Sequence, residues 1–325
     1  MSDVDGAPGM SPQVPRLPPF HPFPPFPAFP PFPPFPRTAK ALREALEAHG
    51  VAPRKRHGQC FLTDVQAIDA IVRDAAVAAG DAVVEVGTGT GLLTHALVEA
   101  GAAVDTFDID RDIQGFARAL RAWPDRVRFH LGDVLDGKHA LSADLLAVLA
   151  RAHATAPGRV KVVSNLPYNA ATPVLLGLLA LPTPPDEIVV MIQREVAEKF
   201  LAPCGGDDYG PPSILRALEA DGKILRRFPP QVFWPAPSVQ SALLRLLPRR
   251  TRTVPAADER AFATFLVGVF SRRRKILSSA LRTARPGLTA EAAVAACAAA
   301  GLASSSRPEE ASPEALLALF RAATG

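Results

Sequence analysis

Val83-Val84-Glu85-Val86-Gly87-Thr88-Gly89-Thr90-Gly91 is the stretch that decides the fold of this 325-residue chain. The Val-rich start reads as a buried strand, the G-x-G-x-G spacing as a tight loop, and the apolar-periodic run from Leu92 to Ala100 as a helix. Glycine lets the backbone approach a ligand at the carboxyl end of a strand, where open α/β sheets bind. By itself the loop is a weak signal. Leu92 stands where a dinucleotide fingerprint has Gly or Ala, and the loop alone leaves a nicotinamide cofactor possible.

The same alternation extends in both directions. Ala39–His49 and Asp64–Ala79 read as helices, each followed by glycine, and Ala82–Val86 and Ala103–Asp108 as strands. Then come a helix over Asp110–Ala122, a strand over Val127–Leu131, a helix over Leu141–His153 and a strand over Val160–Ser164. Thr172–Ala180 is helical, Glu187–Ile192 a strand, and Arg194–Leu201 helical. This order predicts an α/β fold, a Rossmann-like sheet with helices on both faces. Lys223–Phe228 and Val239–Leu246 read as a closing antiparallel pair. Beyond Pro255 only helices are expected, over Glu259–Phe270, Arg272–Arg282, Ala290–Ala300 and Pro313–Ala322. The domain division that follows is a low-complexity tail over 1–37, an α/β domain over 38–250 and a small all-α domain over 251–325.

Residues 1–37 hold 14 of the 34 prolines, with Phe20, Phe23, Phe26, Phe29, Phe32 and Phe35 recurring every third residue. A polyproline II helix would align these rings in one stripe, as in a docking tail. The composition favours a disordered extension. Cys60, Cys204 and Cys297 are far apart and fit neither a zinc pattern nor a disulfide framework, so a reducing cytosol is expected and no metal site. No apolar run reaches the length of a membrane span, and prolines interrupt any leader-like core. The expected protein is cytoplasmic and monomeric. Its net charge of +4 is uneven. Lys223 to Arg282 carry 13 basic residues against Asp258 and Glu259, or +11, leaving 4 − 11 = −7 for the rest. A basic segment with so few acids nearby is the footprint of a polyanion partner.

Four positions after successive strands carry chemistry. The glycine loop follows the first. Asp108 ends the second, where a carboxylate can hold two ribose hydroxyls, with Asp110 as the alternative. Asp133 follows the third and can accept from an adenine amine. After the fourth comes Ser164-Asn165-Leu166-Pro167-Tyr168-Asn169. Each acid alone reads as a cap or a surface charge, and the last stretch alone as a Pro turn with a half-buried Tyr. In order, they match S-adenosylmethionine with its methyl facing Asn165. The Asn165 oxygen and the Leu166 carbonyl can accept the two hydrogens of an exocyclic amine, favouring the increasingly cationic nitrogen of methyl transfer. Pro167 keeps Leu166 extended, and Tyr168 offers a stacking face to the base.

With these motifs in hand, the chain resembles the KsgA-type (RsmA) ribosomal RNA small-subunit adenine dimethyltransferases, from about Arg54 to Arg282. Arg54–Leu62 is similar to the family's cofactor-covering segment, Val84–Thr94 to its glycine loop, and Asn165–Asn169 to its catalytic clamp. Met191–Ala197 is similar to its helix entry, Phe233–Val239 with Ser241 to its substrate-side loop, and Phe270–Leu277 to its basic helix. The resemblance implies S-adenosylmethionine held by Gln59, Cys60, Leu62, Gly87, Gly89, Asp108, Asp133 and Asn165. It implies catalysis by Asn165, Leu166, Pro167 and Tyr168. Phe233 would shape the base pocket with Tyr168, and Arg272, Arg273, Arg274 and Lys275 would meet RNA. Its implied activity is N6,N6-dimethylation of two adjacent adenosines near the 3′ end of 16S rRNA in the immature small subunit. Cys60 replaces the family's usual Asn, Asp108 its Glu, and Ala170-Ala171 its Ile-Ser. Rival readings are a large-subunit (23S) adenine methyltransferase of the antibiotic-resistance type, and an assembly or transcription factor that keeps the fold without needing catalysis. A DNA adenine or protein glutamine methyltransferase fits the clamp but not the other motifs.

Overall fold

The structure, a computed structural model, describes residues 38–52, 59–138 and 140–324. The Pro/Phe stripe and Arg54–Gly58 of the expected covering segment lie outside the described residues. The chain begins with α1 (Ala39–Ala48), β1 (Phe61–Leu62), α2 (Val65–Asp74), β2 (Ala82–Val86), α3 (Leu92–Glu99) and β3 (Ala103–Asp108). It continues through α4 (Arg111–Ala119), β4 (Val127–Leu131), the small hairpin β5 (Leu135–Asp136) and β6 (Ala140–Leu141), α5 (Ala143–Thr155) and β7 (Val160–Asn165). Next come α6 (Ala171–Leu179), β8 (Glu187–Gln193), α7 (Arg194–Leu201), α8 (Pro211–Glu219), β9 (Ala220–Phe228), β10 (Phe233–Trp234) and β11 (Ser241–Pro248). The helices α9 (Glu259–Phe270), α10 (Leu277–Ala284), α11 (Ala290–Ala299) and α12 (Pro313–Thr324) close the chain.

Seven strands make one sheet in the order β4-β3-β2-β7-β8-β11-β9. The first five are parallel and β11 is antiparallel to both its neighbours. Alternation of side chains along each strand divides the core. Val83, Val104, Val163 and Val189 face α1 to α4, while Val84, Val162, Ile188 and Val190 face α5 to α7. Asp64, Asp110 and Ser142 start α2, α4 and α5 by accepting backbone N–H groups of the first turn. A third core joins α9–α12 to Tyr209, Ile214 and Leu218 on and beside α8, with Phe262, Phe265 and Phe320 in mutual ring contact.

Four departures from expectation have physical causes. The helix expected over Asp64–Ala79 stops at Asp74, and Ala76 takes φ +45°. The carbonyls of Ala75 and Ala76 turn aside to accept from the buried Lys161 ammonium, at 2.9 and 2.6 Å. The helix expected over Arg272–Arg282 begins only at Leu277. Arg272, Arg273, Arg274 and Lys275 therefore sit on a turn, not a helix; the chain must reverse there for α10 to cross α9 at Gly268, where a Cβ would meet Ala284 Cα at 2.8 Å. Unforeseen α8 starts at two prolines, with Ser213 and the Gly210 backbone closing its first turn. Also unforeseen, β1 pairs with β10, setting Phe61 opposite Trp234 and Leu62 opposite Phe233.

The expected scarcity of acidic partners for the basic segment is a feature of sequence proximity only. Acids from elsewhere approach it: Asp74 pairs with Arg226, Glu198 with Arg227, Glu187 with Arg245, Asp221 with Arg249, Glu219 with Arg252 and Glu309 with Arg273. Arg250, Arg260, Arg272, Arg274 and Lys275 are exposed and make no ion pair among the described residues. No described helix is long and apolar enough to cross a membrane.

Candidate active site

The sheet opens at its topological switch point, between β2 and β7. Their ladder runs only from Ala82/Val160 to Val84/Val162. Beyond it the Val86 N–H donates to the Ser164 hydroxyl at 2.8 Å, so the strands part with one side chain bridging them. Gly87 and Thr88 turn away from β7, their N–H groups both donating to Phe107 O. Gly87 holds φ +88°, and a Cβ there would meet Asn165 O at 3.3 Å and Pro167 Cδ at 3.5 Å. A side chain at this position would close the gap between loop and clamp. The result is a cavity of about 420 Å³ at the carboxyl ends of the strands.

Gln59, Cys60, Gly87, Gly89, Asp108, Asp133, Asn165, Leu166, Pro167 and Tyr168 all line this cavity, drawn together from a span of over a hundred residues. Asn165 ends β7 and donates through Nδ2 to Cys60 O at 3.4 Å. Its Oδ1 is buried and has no hydrogen-bond partner among the described residues. Leaving such an acceptor unpaired costs about 1–3 kcal/mol, a cost that a donor on a bound molecule would remove. The Cys60 contact runs through its backbone, so the change of side chain at 60 leaves it intact. Burial pushes the thiol above its usual pKa, keeping it protonated. Tyr168 is half-buried, its hydroxyl 3.0 Å from Ser241 Oγ, and burial raises its pKa.

The structure separates the two carboxylates that the sequence leaves as alternatives. Asp108 lines the cavity and accepts from Gly89 N–H and Asp110 N–H, at 2.9 Å each. Burial, with the Asp110 charge adding, pushes its pKa up to about 6 against these hydrogen bonds. Asp110 instead caps α4 with Oδ1 and accepts from Gln59 Nε2 with Oδ2 at 3.0 Å. Beneath the loop lies Glu85, fully buried, accepting from Thr94 Oγ1 at 2.5 Å on Oε2, with no hydrogen-bond partner for Oε1 among the described residues. Burial raises its pKa to about 8, so it is protonated at neutral pH. Asp133 is exposed at the mouth, one oxygen accepting from Leu135 N–H.

Leu62 and Phe233 are not on the cavity wall. They are buried opposite one another in the β1–β10 pair, within the first core. Arg273 points inward, donating to the carbonyls of Gly206 and Asp207 beside Glu309, whereas Arg272, Arg274 and Lys275 remain exposed. Among the wall residues that escaped the sequence reading are Ile109 and Lys138. Ile109 is 57% exposed, an apolar side chain open to the cavity, and its only signal is adjacency to Asp108. Lys138 comes from the β5–β6 hairpin and has no sequence signal. Among the described residues no group of three or more His, Cys, Asp or Glu could hold a metal.

A parallel sheet with an antiparallel β11, a glycine loop after β2, a carboxylate after β3 and an Asn-Leu-Pro-Tyr turn after β7 define a class I S-adenosylmethionine-dependent methyltransferase fold, with a small all-α region after it. Two solved structures share it: a 23S rRNA methyltransferase, ErmE (TM-score 0.56, 21% identity, 82% of this chain and 100% of that one), and a dimethyladenosine transferase from Plasmodium falciparum (0.60, 22%, 78% and 94%). The model of the family described as ribosomal RNA adenine dimethylase matches residues 51–322. The ribosomal RNA small subunit methyltransferase A of Thiobacillus denitrificans is 37% identical over 252 residues, 74% of this chain and 92% of that protein. That of Moorella thermoacetica is 37% identical over 235 residues, 71% and 80%. The chain belongs to the ribosomal RNA adenine dimethylase family.

Proposed function

We propose that this protein transfers methyl groups from S-adenosylmethionine to the exocyclic amines of two adjacent adenosines near the 3′ end of 16S rRNA, two methyls to each, within the immature small ribosomal subunit. The observation that carries this reading is the buried Asn165 Oδ1, an acceptor with no donor among the described residues, at the edge of a cavity also lined by Gln59, Gly87, Gly89, Asp108, Asp133 and Tyr168. The family and its small-subunit relatives supply the RNA class.

The cavity's chemistry fits the cofactor. Asp108 offers carboxylate oxygens to the ribose hydroxyls, Ile109 an apolar face to the adenine, Asp133 an acceptor for its amine, and the Gly87–Gly89 backbone room for the remainder. When bound, the cofactor supplies an electrophilic methyl on a sulfonium sulfur. Asn165 Oδ1 accepts one hydrogen of the target amine and Leu166 O the other. This drains the delocalisation that makes the adenine amine a poor nucleophile and favours the cationic nitrogen of the transition state. The methylated nitrogen's extra proton would leave to water, so none of these residues need act as a strong general base. Tyr168 stacks on the base, a contact worth about 1–3 kcal/mol. A paired base cannot reach Asn165, so the target is single-stranded or flipped out. Arg272, Arg274 and Lys275 grip phosphates, and binding weakens steeply with salt.

The test is to incubate the protein with radiolabelled S-adenosylmethionine and, separately, unmethylated small and large subunits, then identify the labelled nucleoside. Dimethyladenosine in small-subunit RNA alone is expected. Label in large-subunit RNA would move the protein to the 23S type, and subunit binding without label would make it an assembly factor.

A further inference from the structure

Ser241 opens β11 and is fully buried, lining no part of the cavity. Its backbone is held on both sides, opposite Gln193 of β8 and Phe228 of β9. The residue before it is tied as well: Arg194 donates to Gln240 O through its N–H and to Gln240 Oε1 through its guanidinium, each at 2.9 Å. The Ser241 hydroxyl is thus a fixed point in the sheet, and it lies 3.0 Å from the Tyr168 hydroxyl.

Tyr168 needs such a point. It sits on the turn beyond β7, only half-buried, and it lines the cavity. The Pro167 turn fixes its Cα, but χ1 and χ2 still decide where the ring plane lies. Burial keeps the phenol protonated, so it can donate or accept in this bond. A buried serine hydroxyl must find a partner somewhere, and any strand carbonyl would serve that need. Here the partner is the far end of the aromatic ring on the Asn-Leu-Pro-Tyr turn itself.

We propose that Ser241 is a positioning residue for the methyl transfer: its hydroxyl fixes the plane of the Tyr168 ring on which the target base stacks. This rests on the reading of Tyr168 as the base platform. The phenol then has two separate duties, its face meeting the base and its hydroxyl holding the ring. Tyr168→Phe keeps the face and loses the anchor, so it and Ser241→Ala must act as one change.

A double-mutant cycle on the full chain, with unmethylated small subunits and radiolabelled S-adenosylmethionine, tests this. Ser241→Ala and Tyr168→Phe are each expected to lower kcat/KM for the subunit about fivefold, the worth of one neutral hydrogen bond. The double variant should also stand about fivefold down, with the cofactor Kd unchanged. A double variant about 25-fold down would mean independent effects and overturn the proposal. So would an unaffected Tyr168→Phe, a variant that tests the anchor even if Ser241→Ala does not fold. Tyr168→Ala tests the underlying reading separately, with an expected loss of about 10–100-fold from the missing stack. If Tyr168→Ala is fully active, the platform reading itself falls; if it is impaired but the cycle is additive, only the role of Ser241 falls.

Discussion

At the amino ends of the parallel strands, Asp81, Lys161 and Glu187 are as buried as any valine of the core, and their polar atoms are bound. Lys161 Nζ donates to Ala75 O and Ala76 O and lies 3.2 Å from Asp81 and 3.7 Å from Glu187. Glu187 also takes Arg159 at 3.0 Å and Arg245 at 2.5 Å, and Asp81 takes the N–H groups of Ala78 and Arg159. Burial alone would raise the Asp81 pKa, but those two N–H groups and Lys161 bring it below the usual range. At the carboxyl ends of the same strands, Asn165 Oδ1 and Glu85 Oε1 are buried with no hydrogen-bond partner among the described residues. Buried polarity therefore does not mark a site in this fold. Among the buried unsatisfied atoms of the described residues, Asn165 Oδ1 is the one on the cavity wall, and there folding has carried the desolvation cost without recovering it inside the protein.

Measurements can break this contrast. The largest effect is expected at Glu85. Its pKa is 4.5 when unfolded and about 8 when folded. Below pH 4.5 both states hold the proton; between these values only the folded state does, so stability must fall as pH rises. The loss reaches up to about 5 kcal/mol by pH 8, at about 1.4 kcal/mol per pH unit. Glu85→Gln carries no proton to lose, and urea titrations across that range should show its stability overtaking wild type toward pH 8. Parallel curves would mean that Glu85 is ionised in its pocket. At the opposite end, Lys161→Met strands the Asp81 and Glu187 carboxylates, with an expected cost of about 3–5 kcal/mol in urea unfolding and unchanged turnover per folded molecule.

Asn165→Ala reverses that pattern. It removes an unsatisfied acceptor together with the long 3.4 Å bond to Cys60 O, two opposed effects, so the unfolding midpoint should move little. Turnover should drop about 10–100-fold, the worth of one hydrogen bond to a charging nitrogen, about 1.5–3 kcal/mol. Wild-type turnover in a folded variant would remove Asn165 from the chemistry. The smallest effect sets the scale: Asp74→Asn opens the solvent-facing pair with Arg226 and should change stability by only about 0.2–1 kcal/mol. If it matched Lys161→Met, burial would not be what separates these pairs.

The alternation of strands and helices and the positions of Gly87, Asp108, Asp133 and Asn165 were legible in the sequence because local periodicity, caps and glycines encode them. The pairing of β1 with β10, which sets Leu62 against Phe233, was not, since two-residue strands have no periodicity. The end of α2 was misplaced because Lys161, 86 residues from Ala75, takes its carbonyls. The basic segment looked unpaired because its acids are near in space and not in sequence.

The sequence by itself determined the family, the sheet with its glycine loop and the Asn-Leu-Pro-Tyr turn after β7, all properties of contiguous stretches. Only the tertiary structure decided that Asp108 rather than Asp110 faces the cavity, that Arg273 turns inward while Arg272 and Arg274 stay exposed, and that Ser241 stands behind Tyr168. Each of these depends on which polar group finds a partner, and partners are assigned by distances between segments far apart in the chain.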